Sequence, residues 1–161
     1  MVIRALLDVG VLVLAIEKNN PVRAKYLDIL TKSIRGDIIS YIPFNVILGA
    51  YHVLTKVFKV NGREVRNKLL ALMRCKKIKW ITSISFDEVK RAIEYATIYN
   101  FESWDGFILT IMRDFDIPII YTIDEDFLKV KDIEVRGLLN PKEKDALNNY
   151  IESLKKKSAE T

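Results

Sequence analysis

Cysteine, glycine and proline are scarce in this sequence, with one, six and four residues among 161. Because Cys75 is the single cysteine, the chain can form no internal disulfide and offers no cysteine pair for a zinc site. The few glycines build no phosphate-binding loop, since neither GxGxxG nor GxxxxGK occurs. The composition therefore excludes a disulfide-stabilised fold and the common glycine-rich nucleotide-binding loops.

Long hydrophobic runs are also absent. The longest apolar segments are far shorter than the roughly 20 residues that cross a bilayer, and the N-terminus lacks the layout of a signal peptide. We therefore expect a soluble cytoplasmic protein that does not associate with membranes. With 50% hydrophobic and 29% charged residues, the chain has the composition of an ordinary globular protein. Its length suits one domain covering residues 1–161, without internal repeats or low-complexity linkers.

Charge is unevenly distributed around the net value of +5. Residues 56–79 contain nine basic residues and one acidic residue, which gives a net charge of +8. Residues 102–126 contain seven acidic residues and one basic residue, which gives −6. A basic surface beside an acidic cleft suits a protein that holds a polyanion by its phosphates and presents metal ions to it. The predicted RNA-binding residues are Arg63, Arg66 and Lys68, with a solvated basic face of a thermostable protein as the alternative.

Short apolar segments alternate with helical patterns along the chain. The predicted strands cover residues 2–7, 37–42, 78–82, 117–122 and 133–135. Strands separated by helices predict an α/β fold, a three-layer α/β/α sandwich with a mainly parallel central sheet. A polar C-terminal helix is predicted from about residue 141, with a fraying tail after about 157.

Capping patterns predict several helix boundaries. Asn20-Pro21 has the pattern of an N-cap followed by a first-turn proline, and Gly36 that of a helix end. Pro43 begins a helix that we expect to end at Asn61-Gly62. The segment from Ser85 to Glu88 is a capping box. The predicted inward-facing residues of the helices include Leu27, Ile34, Met73, Ile93 and Phe115.

Three aspartates occupy related places in this pattern. Asp8 and Asp124 come at the ends of apolar strands, and Asp105 lies in the first turn of a predicted helix, where negative charge is favoured. Polar residues at the carboxyl ends of parallel strands point into the crevice where open α/β sheets bind ligands. We therefore expect the three carboxylates to converge on one metal-binding cleft.

The order and spacing of these segments resemble those of the PIN domain nucleases, including the VapC-type toxins of archaea and bacteria. The resemblance covers nearly the whole chain. It rests on Leu6-Leu7-Asp8 followed by Val11-Leu12-Val13, on Pro43 through Val53-Leu54-Thr55, on Ser103-Trp104-Asp105, and on the segment from Ile119 to Phe127.

The resemblance implies about four acidic residues that bind Mg²⁺ or Mn²⁺ and hydrolyse RNA. Asp8, Asp105 and Asp124 match three of these positions, as metal ligands and catalytic residues. Thr122 and Asp126 match positions that would orient those ligands. Hard divalent cations prefer oxygen ligands, and a bound ion can activate water and stabilise the leaving oxygen. The family also implies an antitoxin-like protein partner and a homodimer.

The chain departs from the family pattern around two of these positions. Val9 and Gly10 follow the first aspartate, where the family usually has Thr or Ser and then Asn. Gly49 aligns with the remaining acidic position, in the middle helix, and offers no ligand. Asn45 and His52 share its helix face, so each is a candidate for a weaker ligand or a water contact. The alternative for His52, the only histidine, is an ordinary surface or packing residue.

Three functional interpretations follow. The first is a metal-dependent endoribonuclease, a candidate toxin of a toxin–antitoxin pair, with activity weakened by Gly49. The second is a PIN fold that has lost catalysis and binds RNA or a protein partner. The third is a receiver-like or nucleotide-binding α/β domain, which also gathers aspartates at strand ends. We rank the third last, because the sequence lacks a phosphate-binding loop.

Overall fold

The computed structural model describes residues 2–161. Over this range the chain forms five strands, seven α-helices and one 3₁₀ helix. In chain order they are β1 (Ile3–Leu7), α1 (Val9–Ile16), α2 (Arg23–Arg35), β2 (Ile38–Pro43), α3 (Phe44–Lys56), α4 (Gly62–Met73), β3 (Lys79–Ile81), α5 (Phe86–Tyr99), α6 (Ser103–Asp114), β4 (Ile119–Tyr121), η1 (Glu125–Lys129), β5 (Glu134–Arg136) and α7 (Pro141–Ala159). No helix within this range is both long and apolar enough to cross a membrane.

All five strands lie in one parallel sheet with the order β3-β2-β1-β4-β5. The central strand β1 is buried at Ala5, Leu6 and Leu7, because helices cover both faces of the sheet. The chain adds β2 and β3 on one side of β1 and then returns to place β4 and β5 on the other side. Since parallel crossovers are right-handed, this reversal puts α1 to α4 on one face and α5 and α6 on the opposite face. The predicted three-layer α/β fold with a parallel sheet is confirmed.

The start of α2 differs from the prediction. The helix begins at Arg23, with Val22 in the N-cap position and no side-chain cap. The Asn20 side chain instead accepts a hydrogen bond from the Val22 N–H at 3.1 Å. It donates to the carbonyl oxygens of Leu14 and Glu17 at 3.0 and 2.8 Å. Asn20 therefore stabilises the turn between α1 and α2, since asparagine side chains serve turns as readily as helix caps.

The prediction that Asn61-Gly62 ends the third helix is wrong. The helix α3 already ends at Lys56, and Asn61 caps the start of α4. Its Oδ1 accepts hydrogen bonds from the N–H groups of Arg63 and Glu64 at 2.9 and 3.3 Å. Other predicted helix boundaries are found in the structure: a capping box begins α5 at Ser85, a left-handed residue ends α2 at Gly36, and α7 begins at Pro141 after a capping box at Asn140. The helix α7 continues to Ala159, two residues past the predicted start of the fraying tail.

Several helix residues predicted to face inward are exposed in the structure. They are Leu27, Ile34, Met73, Ile93 and Phe115. The buried stripe of each helix is narrower than its apolar pattern, because a helix on the face of a sheet is covered on one side only. The buried apolar residues form one continuous core on the sheet.

Candidate active site

The central sheet brings Asp8 and Thr122 together. Strands β1 and β4 are neighbours, and their register pairs Leu7 with Tyr121. Asp8 and Thr122 follow directly, so both lie at the same edge of the sheet. At this edge the strand order reverses, and open α/β sheets bind ligands in the crevice that the reversal creates.

Asp8 is buried, and two hydrogen bonds fix its carboxylate. Its Oδ1 accepts from the backbone N–H of Val9 at 2.7 Å, and its Oδ2 accepts from the Thr122 hydroxyl at 2.7 Å. Burial raises the pKa of Asp8, these two hydrogen bonds oppose the rise, and the charge of Asp124 adds to it. The orientation of Asp8 is therefore determined by the start of α1 on one side and by the end of β4 on the other.

Thr122 also connects Asp8 to Asp124. The Thr122 Oγ1 accepts a hydrogen bond from the Asp124 N–H at 3.0 Å, while Asp124 Oδ1 accepts from the Asp126 N–H at 2.9 Å. The Asp126 carboxylate forms an ion pair with Lys129 at 3.3 Å. Thr122 thus supports two of the predicted ligands through its hydroxyl, whereas Asp126 supports one through its main chain.

Asp105 reaches the same crevice from the first turn of α6. The next residue, Gly106, lies so close to α5 that a Cβ at this position would overlap the carbonyl oxygen of Ala92. Only glycine permits this helix packing, which sets the position of the first turn of α6. As a result, Asp105 lines one cavity with Asp8 and Asp124.

The carboxyl groups in this cavity repel one another. The pKa of Asp105 is raised from 3.8 to about 8, first by burial and then by the charges of Asp8, Asp124 and Glu102 and a hydrogen-bond contact with Asp124. Among the described residues, no lysine or arginine lines the cavity. Strongly raised carboxyl pKa values in a cleft are typical of functional sites.

The cavity has a volume of about 680 Å³ and contains residues that the sequence prediction omitted. Glu102 and Trp104 lie within three residues of Asp105 in the sequence, so they could have been predicted as residues of the site. Leu147 and Ile151 of the C-terminal helix α7 also contribute to the wall. No local pattern assigns these two residues to the site, because only tertiary packing brings α7 there.

Asn45 lies in the same cavity and is 8% exposed. In the part of the chain that the structure describes, its Oδ1 is the one buried side-chain nitrogen or oxygen without a hydrogen-bond partner. A buried amide oxygen without a partner is destabilising by about 1–3 kcal/mol, so such atoms are rare. An oxygen of this kind is suited to a cation or to water bound to a cation.

Within residues 2–161, no three histidine, cysteine, aspartate or glutamate side chains are arranged so that they could hold a metal ion by themselves. A magnesium site does not require such a group, because Mg²⁺ keeps several waters and takes one or two carboxylates together with substrate phosphates. Carboxylates and an amide oxygen are the donors that Mg²⁺ and Mn²⁺ prefer. The residues present therefore fit a hard divalent cation whose coordination water and substrate complete.

Gly49 lies against Val9 in the cavity wall. A Cβ at residue 49 would lie 2.9 Å from Cγ2 of Val9, closer than real Cβ contacts. Val9 therefore occupies the space that a larger side chain at residue 49 would need. His52, further along α3, is exposed and also lines the cavity.

The predicted RNA-binding residues do not share one surface. Arg63 and Arg66 line a groove between α3 and α4, and this groove meets the acidic cavity at Leu48. Lys68 lines a different groove, between α2 and α4, and forms an ion pair with Glu64 at 2.9 Å. Only the two arginines therefore border a path to the carboxylates.

No protein family model matches the sequence, and no curated protein does. Solved structures match the fold. VapC20 of Mycobacterium tuberculosis, a toxin that cleaves the sarcin-ricin loop, has a TM-score of 0.68 at 14% identity, over 82% of this chain and 98% of that chain. A toxin-antitoxin complex from Klebsiella pneumoniae gives 0.59 at 17% identity, over 80% and 94% of the two chains.

VapBC2 of Rickettsia felis, bound to a DNA fragment from its promoter, gives a TM-score of 0.55 at 16% identity, over 83% of this chain and 98% of that chain. At such low identities the similarity establishes the fold. The chain has the fold of the VapC-type PIN-domain toxins, and the predicted resemblance is confirmed at that level.

Proposed function

We propose that this protein is a metal-dependent endoribonuclease of the PIN type and the toxin of a toxin–antitoxin pair. One observation carries the proposal: Asp8, Asp105 and Asp124 line one cavity that, among the described residues, is lined by no lysine or arginine. A protein gains nothing in stability from such a cluster, because the carboxylates repel one another. The cluster becomes favourable when a divalent cation offsets its charge.

Asp8, Asp105 and Asp124 would hold Mg²⁺ or Mn²⁺, with Asn45 Oδ1 as a further oxygen for the ion or its water. When bound, the ion would supply Lewis-acid stabilisation of a phosphodiester and would activate water for in-line attack. The Thr122 hydroxyl keeps Asp8 in place, since it donates to Oδ2 of that carboxylate. Asp105, with a pKa of about 8, carries a proton at neutral pH in the metal-free protein, and binding of a cation would release that proton.

The absence of a carboxylate at Gly49 weakens cation binding and therefore the proposed activity. Fewer charged ligands hold a hard cation less tightly. Arg63 and Arg66 bind RNA phosphates beside the cavity, because paired arginines near an acidic site offset the charge of the polyanion.

An antitoxin-like protein is the proposed partner, and the cytoplasm is the proposed location. The groove between α2 and α4 has a volume of about 620 Å³ and is lined by Leu27 and Ile34, which are 36% and 44% exposed. Exposed apolar grooves are typical of protein interaction sites. Two of the structural neighbours are toxin–antitoxin assemblies. The homodimer stays a prediction, which light scattering on the purified protein can check.

The decisive experiment measures Mn²⁺ binding and RNA cleavage on the same preparations. Titration calorimetry of the wild type with Mn²⁺ should show binding, and structured RNA should be cleaved in Mn²⁺ but not in EDTA. Asp105→Asn should abolish cleavage and weaken Mn²⁺ binding at least tenfold. Asp116→Asn is the matched control, since Asp116 is exposed, lies at the other end of β4 and tolerates asparagine at its φ of 51°.

Cleavage that persists in Asp105→Asn would show that the activity comes from a contaminant or from another site. If the wild type neither binds Mn²⁺ nor cleaves RNA, the nuclease proposal is wrong. In that case the RNA affinity of the same protein distinguishes an RNA-binding module from a protein-binding one.

A further inference from the structure

Trp104 is an exposed aromatic residue at the acidic cavity. It precedes Asp105 in the first turn of α6, is 52% exposed and lines the cavity together with the three aspartates. Large aromatic side chains normally bury most of their surface. An indole that is half exposed beside a carboxylate cluster is therefore available for contact with a ligand.

Two phenylalanines fix the position of the indole. The rings of Phe44 and Phe107 each lie 6.1 Å from the Trp104 ring, at interplanar angles of 87° and 74°. Phe107 is fully buried and Phe44 partly buried, so both belong to the rigid part of the protein. A side chain held on two sides loses little conformational entropy when a ligand binds to its exposed surface.

The surroundings of Trp104 suit a nucleic acid strand with unpaired bases. The wall of the cavity beyond the carboxylates is apolar, with Val57, Phe58 and Ile123 among its residues. The groove that contains Arg63 and Arg66 joins the cavity at Leu48. A basic groove for phosphates combined with an aromatic platform for bases is the usual arrangement for binding single strands.

We propose that Trp104 is a substrate-binding residue of this site and that its indole stacks on an unpaired base of the RNA. This inference rests on the proposed ribonuclease function and names a residue that would bind the substrate in addition to the carboxylates. In a duplex, bases are stacked on their neighbours and paired, so their faces cannot reach Trp104. A base splayed out of a loop can reach it while its flanking phosphates approach the carboxylates.

The fluorescence of Trp104 provides a direct test. The chain has two tryptophans, and Trp80→Phe leaves Trp104 as the single reporter. Hexaadenylate added in EDTA, where no cleavage occurs, should quench this fluorescence. A long blunt-ended RNA duplex, which has no unpaired bases, should quench it at least tenfold less at equal nucleotide concentration.

Affinity measurements on substitutions test the energetic contribution. Trp104→Ala should weaken hexaadenylate binding by about 5- to 160-fold, because one base stacked on an aromatic side chain contributes about 1–3 kcal/mol. Trp104→Phe should stay within about threefold of the wild type. Phe86→Ala is the matched control, since Phe86 is 89% exposed in the first turn of α5 and does not line the cavity. It should leave the affinity unchanged.

The outcomes separate this inference from the proposed function. If the wild type cleaves RNA in Mn²⁺ and Trp104→Ala leaves both KM and the affinity for hexaadenylate unchanged, the stacking inference is wrong and the nuclease stands. If hexaadenylate quenches Trp104 but no RNA is cleaved, the nuclease fails and single-strand binding remains. Absence of quenching in the Trp80→Phe protein overturns the inference even if Trp104→Ala does not fold.

Discussion

The contact between Gly49 and Val9 leads to a specific prediction about restoring a fourth carboxylate. Gly49→Glu alone places a Cβ 2.9 Å from Cγ2 and 3.6 Å from Cγ1 of Val9. Val9 cannot easily turn away, because a β-branched side chain in a helix is nearly confined to one rotamer. Overpacking of this kind lowers the free energy of unfolding by about 1–3 kcal/mol. Replacing an interior helix glycine by a better helix former raises it by up to about 1 kcal/mol.

The double substitution Val9→Ala with Gly49→Glu removes this conflict. The nearest remaining Val9 atom is Cβ, at 3.8 Å, which is an ordinary van der Waals contact. The new carboxylate then shares the cavity with Asp8, Asp105 and Asp124. We expect the Mn²⁺ affinity of the double variant to exceed that of Val9→Ala by on the order of tenfold, because charged ligands determine how tightly hard cations are held.

Three assays should compare the wild type with Val9→Ala, Gly49→Glu and the double variant. They are calorimetry with Mn²⁺, thermal unfolding with and without Mn²⁺, and RNA cleavage. Without metal, the double variant should melt below Val9→Ala, because a further carboxylate adds to the repulsion in the cavity. A folded double variant with the Mn²⁺ affinity of Val9→Ala would refute the reasoning. So would a Gly49→Glu variant more stable than the wild type.

Three further predictions follow from the site. The folded-state pKa of Asp105, about 8, lies above its ordinary 3.8, so its ionisation lowers stability progressively as pH rises from about 4 to about 8. After allowance for solvent screening, Asp105→Asn should therefore stabilise the metal-free protein by about 1–2 kcal/mol at pH 8.5 and much less at pH 4.5, measured by thermal unfolding. Gly106→Ala should lower the free energy of unfolding by at least about 3 kcal/mol in urea, since the added methyl group overlaps backbone. Arg63→Ala with Arg66→Ala should reduce the salt slope of RNA binding by about two units, one for each lost phosphate contact, in filter-binding titrations from 50 to 200 mM salt. An equal loss of charge in Arg74→Ala with Lys76→Ala should change it less.

The positions of Asp8 and Asp124 could be predicted from the sequence because they follow from strand order. A buried apolar run that ends in an aspartate places that residue at the carboxyl edge of a parallel sheet, wherever the strand lies in the sheet. The position of Asp105 could also be predicted from the sequence, since it stands at the start of a helix with a clear apolar face. These local patterns are sufficient because the strand ends and helix starts of an α/β fold meet at one edge.

Other features depend on contacts that no local pattern records. Asn61-Gly62 can end one helix or cap the next, and only the length of α3 decides between them. The position of Lys68, in contrast, could have been predicted from the sequence. Helical periodicity already places Lys68 and Arg66, two residues apart, on different faces of α4. The overlap between Gly49 and Val9 and the contribution of α7 to the cavity arise from tertiary packing, so the sequence alone could not show them.

Elsewhere in the protein, hydrogen bonds satisfy a buried carboxylate that has a structural role. Glu17 is 5% exposed, and its oxygens accept hydrogen bonds from the N–H groups of Asn19 and Asn20 and from the Tyr150 hydroxyl. Glu17 thereby joins α7 to the turn after α1, and its role is fully explained by folding. Asp105 is different, because its surroundings are other carboxyl groups that raise its pKa.

One cavity combines the unsatisfied Asn45 oxygen and the raised pKa of Asp105 with a lining that, in the described part of the chain, contains no lysine or arginine. Destabilising features are expected to occur together at functional sites, where a ligand compensates for them. A divalent cation would supply the missing partner for the oxygen and the missing positive charge at once. The cost in stability that this cavity imposes on the metal-free protein is therefore itself an argument that the site is used.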